Sequence, residues 1–410
     1  MNGAVNGAVS GFDVIVVGAR CAGSPTAMLL ARMGHRVLLV DRASFPSDTV
    51  STHLVHAPGV AALRRWGLLE RAVAGSPPID TYAFDFGPFT ITGRPGTGYA
   101  PRRTVLDTAL VAAAAAAGAE VRERFTVSEL VVDDGRVTGI RGHCAGGRTV
   151  TERAAVVVGA DGLHSLVART VRPHGYHEKP RLLCGYYAYW SDLPTDGRFE
   201  TYDRPERAFA AWPTNDDLML VIAGWPYREF AANRGDVEGN YLATLETVPA
   251  FADRLRGARR ETRIVGTAVP NYFRTPHGPG WALVGDAGYN KDFITAQGIQ
   301  DAFRDAELVA TALHEAFTGA ATYDAAMERY RAVRDEALPI YEFTTSLAAL
   351  EPPPPELARL LAAVSGEQAT MDAFAQVATG VTSPAEFFSD ENVGRILAAA
   401  SRGVETPPRR

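Results

Sequence analysis

Gly18 and Gly23 bracket the segment Gly18-Ala19-Arg20-Cys21-Ala22-Gly23, which sits between an apolar β-branched run at residues 12–18 and a helically spaced run at residues 24–34. A tight strand-to-helix turn needs a residue free of Cβ crowding, and Gly18 supplies it. Gly23 lets the helix approach the strand closely. Such a turn aims free N–H groups and the partial positive charge of a helix N-terminus at an anion, a pyrophosphate above all. A second apolar run at residues 36–41 ends on Asp41, where a carboxylate can accept hydrogen bonds from both hydroxyls of an adenosine ribose. Arg20 stands where the usual fingerprint has its middle glycine, so its side chain either points away from the turn or itself contacts a phosphate. A chance pair of glycines also occurs in plain structural turns. The order of strand, helix, strand and terminal Asp favours the nucleotide site.

Weaker signals lie far along the chain. Gly285-Asp286-Ala287 follows the apolar run WALV, and Gly298-Ile299 open a helical pattern at residues 298–317. Asp161-Gly162 close a third buried run at residues 154–162, and Arg103 opens an alanine-rich helix at residues 103–121 that runs into a strand. Each is a common accident by itself. Their order and spacing resemble the FAD-dependent monooxygenase family of the para-hydroxybenzoate hydroxylase type, with its adjoining geranylgeranyl reductase and flavin halogenase branches, over residues 12–345.

The resemblance implies a set of roles. The glycine loop and Asp41 hold the ADP half of FAD, Cys21 and Ala22 offer backbone N–H groups to the pyrophosphate, and Arg42 borders the adenosine. Val127 brings backbone near the adenine, Arg103 reaches toward the FAD phosphates, and Asp286, after Gly285, binds ribityl hydroxyls. Asp161 and Gly162 serve both FAD and the nicotinamide nucleotide. A helix starting at Gly298 and Ile299 suits a reduced flavin, whose negative charge gathers around N1 and O2. A carboxylate on ribityl hydroxyls makes charge-assisted hydrogen bonds of about 1.5–3 kcal/mol each. Only one dinucleotide fingerprint is present, which makes NAD(P)H a transient reductant. Ser51, Thr52 and His53 fall near the flavin ring. His53 is the catalytic candidate, a hydrogen-bond donor of the one side-chain type that ordinarily titrates near neutral pH. The competing reading is a helix-capping Ser/Thr cluster with a structural histidine.

The reaction implied is NAD(P)H reduction of FAD, addition of molecular oxygen at flavin C4a, and hydroxylation or epoxidation of an apolar aromatic or polycyclic small molecule by the hydroperoxide. The alternative is a flavin-dependent reductase or oxidase acting on a C=C bond. Halogenation fits less well: the only lysines are Lys179 and Lys291, and no Trp-x-Trp-x-Ile-Pro motif occurs. One departure bears on the monooxygenase reading. Hydroxylases usually carry a proline before the glycine-rich helix start, and Asp292-Phe293 occupy that place here. A non-catalytic FAD-bound interaction protein is the reading from another class.

These residues require an α/β chain: a Rossmann-like FAD-binding domain, an inserted antiparallel-sheet substrate domain and a helical C-terminal region. The expected division is a disordered tail at 1–11, FAD-binding segments at 12–75, 102–179 and 262–345, sheet-domain segments at 76–101 and 180–261, and C-terminal helices at 346–410. Asp134-Gly135 reads as a hairpin turn. Residues 180–225 alternate aromatic and polar residues, the sheet at 182–225 is the expected substrate pocket, and Tyr187, Tyr189, Trp212 and Trp225, with Phe293, are its expected residues. Alternation divides such aromatics between the pocket and the opposite face.

A net charge of −6 offers no basic field for nucleic acid. Three scattered cysteines, Cys21, Cys144 and Cys184, suit neither a disulfide framework nor a zinc site and fit a reducing, cytoplasmic setting. No metal-spaced His/Cys cluster emerges, and no apolar run has the length of a membrane helix. The first residues read as a loose tail. Arginine greatly outnumbers lysine, a bias of GC-rich bacterial genomes that is compatible with secondary metabolism.

Overall fold

Phe12–Val17 is an apolar, β-branched strand whose last four residues are buried, as a strand covered on both faces must be. It lies at the centre of a sheet running His277–Gly278, Trp281–Leu283, Thr149–Gly159, Phe12–Val17, Val37–Val40, Glu120–Arg122. Four of these five pairings are parallel, with Val14 opposite both Val156 and Val37, Val157 opposite Trp281 and Leu38 opposite Glu120, and only the His277–Gly278 edge is antiparallel. These strands come from widely separated parts of the chain. The computed structural model describes residues 11–404. Residues 1–10, which belong to the expected tail, and residues 405–410 lie outside the described residues.

One face of this sheet packs on helices Gly23–Arg32, Arg103–Ala116 and Gly298–Thr318 through Val14, Val16, Met28, Leu106 and Val309. The other face, with Ile15, Val17, Leu38 and Val40, is covered by Phe125, Leu130, Ile140 and Val167. Those residues belong to the Thr126–Asp133/Arg136–His143 hairpin, its approach and the short helix Leu166–Val171. The hairpin turns at Asp134-Gly135, whose φ values of 48° and 77° are both positive, as a twist-matched two-residue turn requires. Strand Thr149–Gly159 pairs antiparallel with this hairpin in its first half and enters the parallel sheet in its second.

A second sheet runs Arg259–Arg260, Leu183–Ser191, Met219–Pro226, Arg207–Pro213, Phe199–Arg204, Tyr82–Asp85, Thr90–Gly93. It is antiparallel except where Phe199–Arg204 runs parallel to Tyr82–Asp85. Period-two alternation splits it cleanly. Tyr187, Tyr189, Phe199, Trp212 and Leu220 pack on one side with residues of the C-terminal helices Pro355–Val364 and Gln368–Ala378. Tyr186, Trp190, Phe209, Val221 and Trp225 pack on the other against Tyr241, Leu245 and Phe251 of helices Val237–Glu246 and Pro249–Leu255. The α/β class, the antiparallel sheet and the C-terminal helices all follow the expected architecture. Among the described residues no helix is long and apolar enough to cross a membrane.

Candidate active site

The remote glycine-bearing stretches meet at the C-terminal ends of the parallel strands. Gly18 donates its N–H to the Val40 carbonyl at 2.8 Å, Ala160 donates to Val17 at 2.8 Å, and Val284 donates to Gly159 at 3.0 Å. The approach is so close that a Cβ on Gly18 (φ +101°) would lie 2.4 Å from the Ala160 carbonyl oxygen. One on Gly285 would meet the Ala22 Cβ at 3.0 Å. Residues near 20, 160 and 285 thus form one continuous floor, at the strand ends where open α/β sheets bind ligands. A Cβ on Gly23 would fall 1.7 Å from the Gly18 carbonyl oxygen, so only glycine lets helix Gly23–Arg32 start there.

Arg20 turns its side chain away from this floor. Its Nη1 reaches Asp107 Oδ2 at 2.5 Å and its Nη2 reaches Ser47 Oγ at 3.1 Å. Asp107, fully buried, also accepts from Arg103 Nε at 3.1 Å, and Cys21 Sγ lies 3.4 Å from its Oδ1. One carboxylate therefore anchors both arginines, Arg103 within the site and Arg20 behind it. Burial, together with Asp107, holds the Cys21 thiol protonated. Asp41 spends an oxygen on each side of the loop: Oδ2 accepts from Ala19 N–H at 2.7 Å and Oδ1 from Ala43 N–H at 2.8 Å. Each oxygen keeps a further lone pair for ribose hydroxyls. Arg42 is exposed beside it. Phe125 donates to the Asp41 carbonyl at 2.8 Å, which starts the strand carrying Val127 next to that end of the sheet.

Asp161 and Asp286 hold unspent acceptors. Asp161 Oδ2 accepts from Leu166 N–H at 2.6 Å, while its Oδ1 is buried with no partner. Gly162 follows with φ +73°. Asp286 is open to solvent, although protein groups crowd its carboxyl closely enough to perturb its titration. Burial raises its pKa to about 6, opposed by the Arg103 guanidinium. Helix Gly298–Thr318 begins beside this floor, with Gly298 exposed and Ile299 buried. Its first N–H groups and positive dipole end are available to an anion. An accessible carboxylate, a buried orphan acceptor, an anchored arginine and a helix N-terminus are the donor and acceptor set that a ribityl chain, a pyrophosphate and a flavin ring need. These residues fit FAD.

His53 behaves differently from its expectation. It sits in the left-handed region (φ 61°), fully buried, with Nε2 hydrogen-bonded to the Tyr189 hydroxyl and Nδ1 unpartnered. Desolvation first, then the Arg103 and Arg102 guanidiniums, push its pKa down to about 3. The ring is neutral at physiological pH, so His53 can donate or accept a hydrogen bond but does not titrate near neutrality. Ser51 Oγ accepts from the His53 N–H at 3.0 Å, and Thr52 offers its carbonyl to the Trp212 indole N–H at 3.2 Å. His56, which drew no notice in the sequence, ties this stretch to the flavin-motif loop, the segment 285–297 between Gly285 and helix Gly298–Thr318. Its Nε2 reaches the Thr295 carbonyl at 3.0 Å and its Nδ1 lies 3.2 Å from the Tyr82 hydroxyl. A carbonyl can only accept, so Nε2 carries the proton and Tyr82 donates to Nδ1.

A cavity of about 130 Å³ lies between the second sheet and the C-terminal helices. Trp212, Phe199, Phe84, Ile222 and Phe293 line it, and Phe343 and Phe374 line it from the C-terminal helices. Of the expected pocket residues, Trp212 and Phe293 line it. Tyr187 and Tyr189 lie on the same face of the sheet but are buried around His53 and form no part of the wall. Trp225 is a correction: it points to the opposite face and stacks on Tyr186 at 4.9 Å between ring centroids. Alternation along Met219–Pro226 sends Ile222 and Gly224 to the cavity side and Val221, Ala223 and Trp225 to the face covered by helix Val237–Glu246. The second-sheet residue the sequence reading passed over is Asp203, which also lines the cavity.

The geometry agrees with the comparisons. The family model described as "FAD binding domain" matches residues 11–338. Digeranylgeranylglycerophospholipid reductase 1 of Methanopyrus kandleri is 27% identical over 336 residues, covering 78% of this chain and 85% of the relative. Kynurenine 3-monooxygenase of Salinispora arenicola is 30% identical over 363 residues, covering 78% and 76%. The myxobacterial chondrochloren halogenase, a FAD-dependent halogenase of known structure, superposes with a TM-score of 0.76 at 22% identity, over 97% of this chain and 98% of the other. The chain belongs to the FAD binding domain family of monooxygenase-type flavoproteins, and it is a FAD-dependent oxidoreductase.

Proposed function

We propose that the protein is a monooxygenase that uses NAD(P)H and molecular oxygen to hydroxylate or epoxidise an apolar aromatic or polycyclic small molecule. The observation that carries this reading is the aromatic cavity beside the flavin-motif loop, lined at one end by Phe293, Ile294, Thr295 and Ala296. FAD, when bound, supplies two-electron redox chemistry and oxygen activation. Asp286, Arg103, Asp161 and the start of helix Gly298–Thr318 would hold the coenzyme. Val127 would border its adenine, and Asp161-Gly162 would also meet a visiting nicotinamide nucleotide. Trp212 and Phe293 orient the substrate, and the C-terminal helices exclude water. His53, held neutral, supplies one hydrogen bond without exchanging a proton. The cavity is small and aromatic-walled, below the roughly 300–1,000 Å³ of common drug-sized sites, which suits a slender ring system better than a double-chained lipid. The composition fits a cytoplasmic enzyme of bacterial secondary metabolism.

Reduction of a C=C bond is the second reading. It is favoured by Asp292, which with Phe293 occupies the place where hydroxylases usually carry a proline; burial raises its pKa to about 7, which keeps a proton available next to the cavity-lining Phe293. Turnover under labelled dioxygen separates the two. Incorporation of one oxygen atom from O₂ into product, with one NAD(P)H consumed, supports monooxygenation. Anaerobic product formation with two hydrogens added overturns it.

A further inference from the structure

Polar side chains are a minority of the cavity lining, and His56, Tyr82 and the Thr295 carbonyl are tied to one another. His56 is neutral, with its pKa pushed down to about 4 by burial, and is bonded to Thr295 and Tyr82. Asp203 is the one formally charged residue in the wall. It occupies the cavity side of strand Phe199–Arg204, two residues on from Thr201 and four from Phe199, which also line the cavity. Among the described side-chain contacts it forms no ion pair. The adjacent Arg204 points elsewhere, its Nη1 bonded to Asp85 Oδ1 at 2.9 Å.

The sheet leaves room beside this carboxylate. Asp203 is paired with Ala208, Ala208 with Gly224, and Gly224 with Gly185, so four strands present one acid and three small residues in a row. At the far end of the row the Phe293 ring lies over Gly185, where a Cβ would come 2.5 Å from it. The cavity therefore runs across the strands from the flavin-motif loop to Asp203. Three strand spacings of about 4.8 Å separate the ends, which leaves on the order of 10 Å between the Phe293 ring and a group seated at the carboxylate.

We propose that Asp203 is a specificity determinant that receives a protonated amine at one end of an otherwise apolar, elongated substrate, while the opposite end of that substrate lies at the flavin-motif loop. An unpaired carboxylate in an apolar wall is costly, and a ligand cation offsets that cost by a charge-assisted hydrogen bond. Desolvation, countered by Arg204, keeps the Asp203 pKa at about 6, so the group is ionised at pH 8 and ready for a cation. A neutral or anionic analogue gains nothing there, and an anion is repelled. The inference rests on the proposed reading of this cavity as the substrate site.

The test uses the flavin-loaded protein at pH 8, with calorimetric titration of three matched probes: 2-(biphenyl-4-yl)ethylamine, 2-(biphenyl-4-yl)ethanol and biphenyl-4-ylacetic acid. The expected order is amine at least tenfold tighter than alcohol, with the acid weakest. Asp203→Asn is expected to bring amine and alcohol within twofold of each other, and Asp203→Glu to retain the preference. Flavin content and thermal midpoint of each variant report folding; if Asp203→Asn does not fold, the Asp203→Ala variant takes its place in the same titration. Equal affinity of amine and alcohol for the unaltered protein, an undiminished preference after charge removal, or no binding of any probe would each overturn the inference. Alcohol binding without amine preference sinks this inference alone, because the cavity then still accepts apolar rings. Turnover that proceeds without oxygen sinks the monooxygenase reading and leaves the Asp203 measurement intact.

Discussion

Replacing Asp107 by Asn keeps the shape of the side chain and removes one charge, which makes it a sharp probe of how the site is assembled. Asp107 is fully buried and accepts from Arg20 at 2.5 Å and Arg103 at 3.1 Å. Breaking a buried ion pair typically costs about 3–5 kcal/mol, because a desolvated charge is left unmatched. Arg103 is nearly as buried as its partner, whereas the Arg20 side chain is 26% exposed and keeps Ser47 as a second acceptor. The lower end of the range therefore applies, about 3 kcal/mol. With an unfolding entropy of about 2.1 cal/mol/K per residue, that corresponds to roughly 3–4 °C in the thermal midpoint of a 410-residue chain. Calorimetry of the flavin-free protein measures the fold term, and a subsequent FAD titration measures the site term, since Arg103 loses its anchor and its orientation toward Asp286. An unchanged midpoint together with unchanged FAD affinity would refute the idea that one carboxylate organises both arginines.

Other expectations follow from the same geometry. Trp212→Ala, which opens the cavity wall and removes the indole hydrogen bond to Thr52, should weaken aromatic ligand binding at least tenfold while the protein stays yellow; parallel flavin loss would contradict the division between the two sites. His56 has a folded pKa of about 4 against an ordinary 6.5, so it contributes stability that is fully present above pH 6.5 and is lost as pH falls toward 4. The stability advantage of the unaltered protein over His56→Gln should shrink over that window by at most about 1.4 kcal/mol per pH unit. A difference that stays flat in chemical unfolding from pH 7 to 4 would show that the histidine is not held neutral.

Much of the parallel-sheet half of the fold was legible in the sequence because its requirements are local. A β-branched run, a glycine without steric alternatives and an Asp-Gly turn each announce themselves within a few residues, and the structure places Gly18, Gly23 and Asp134-Gly135 in those conformations. What the sequence left open depends on partners far along the chain. The fate of Arg20 is decided by Asp107, 87 residues away. Trp212 and Trp225 both sit in alternating aromatic strands, and period two separates their faces without saying which one the C-terminal helices cover. His53 looked titratable because its residue type usually is; only three-dimensional burial beside two arginines drives its pKa to about 3. Asp203 lies in the polar-looking stretch FETYDR, where a charge reads as surface, and only the Ala208–Gly224–Gly185 row beside it marks a cavity.

The decisive measurement is titration of FAD into flavin-free protein, run side by side with Asp286→Ala. The remote floor built from residues near 20, 160 and 285 predicts a one-to-one yellow complex for the unaltered chain. The variant should fold and bind at least about tenfold more weakly, as the loss of a charge-assisted hydrogen bond of 1.5–3 kcal/mol requires. A chain that stays colourless at saturating FAD, or a variant that binds as tightly as its parent, would contradict the account.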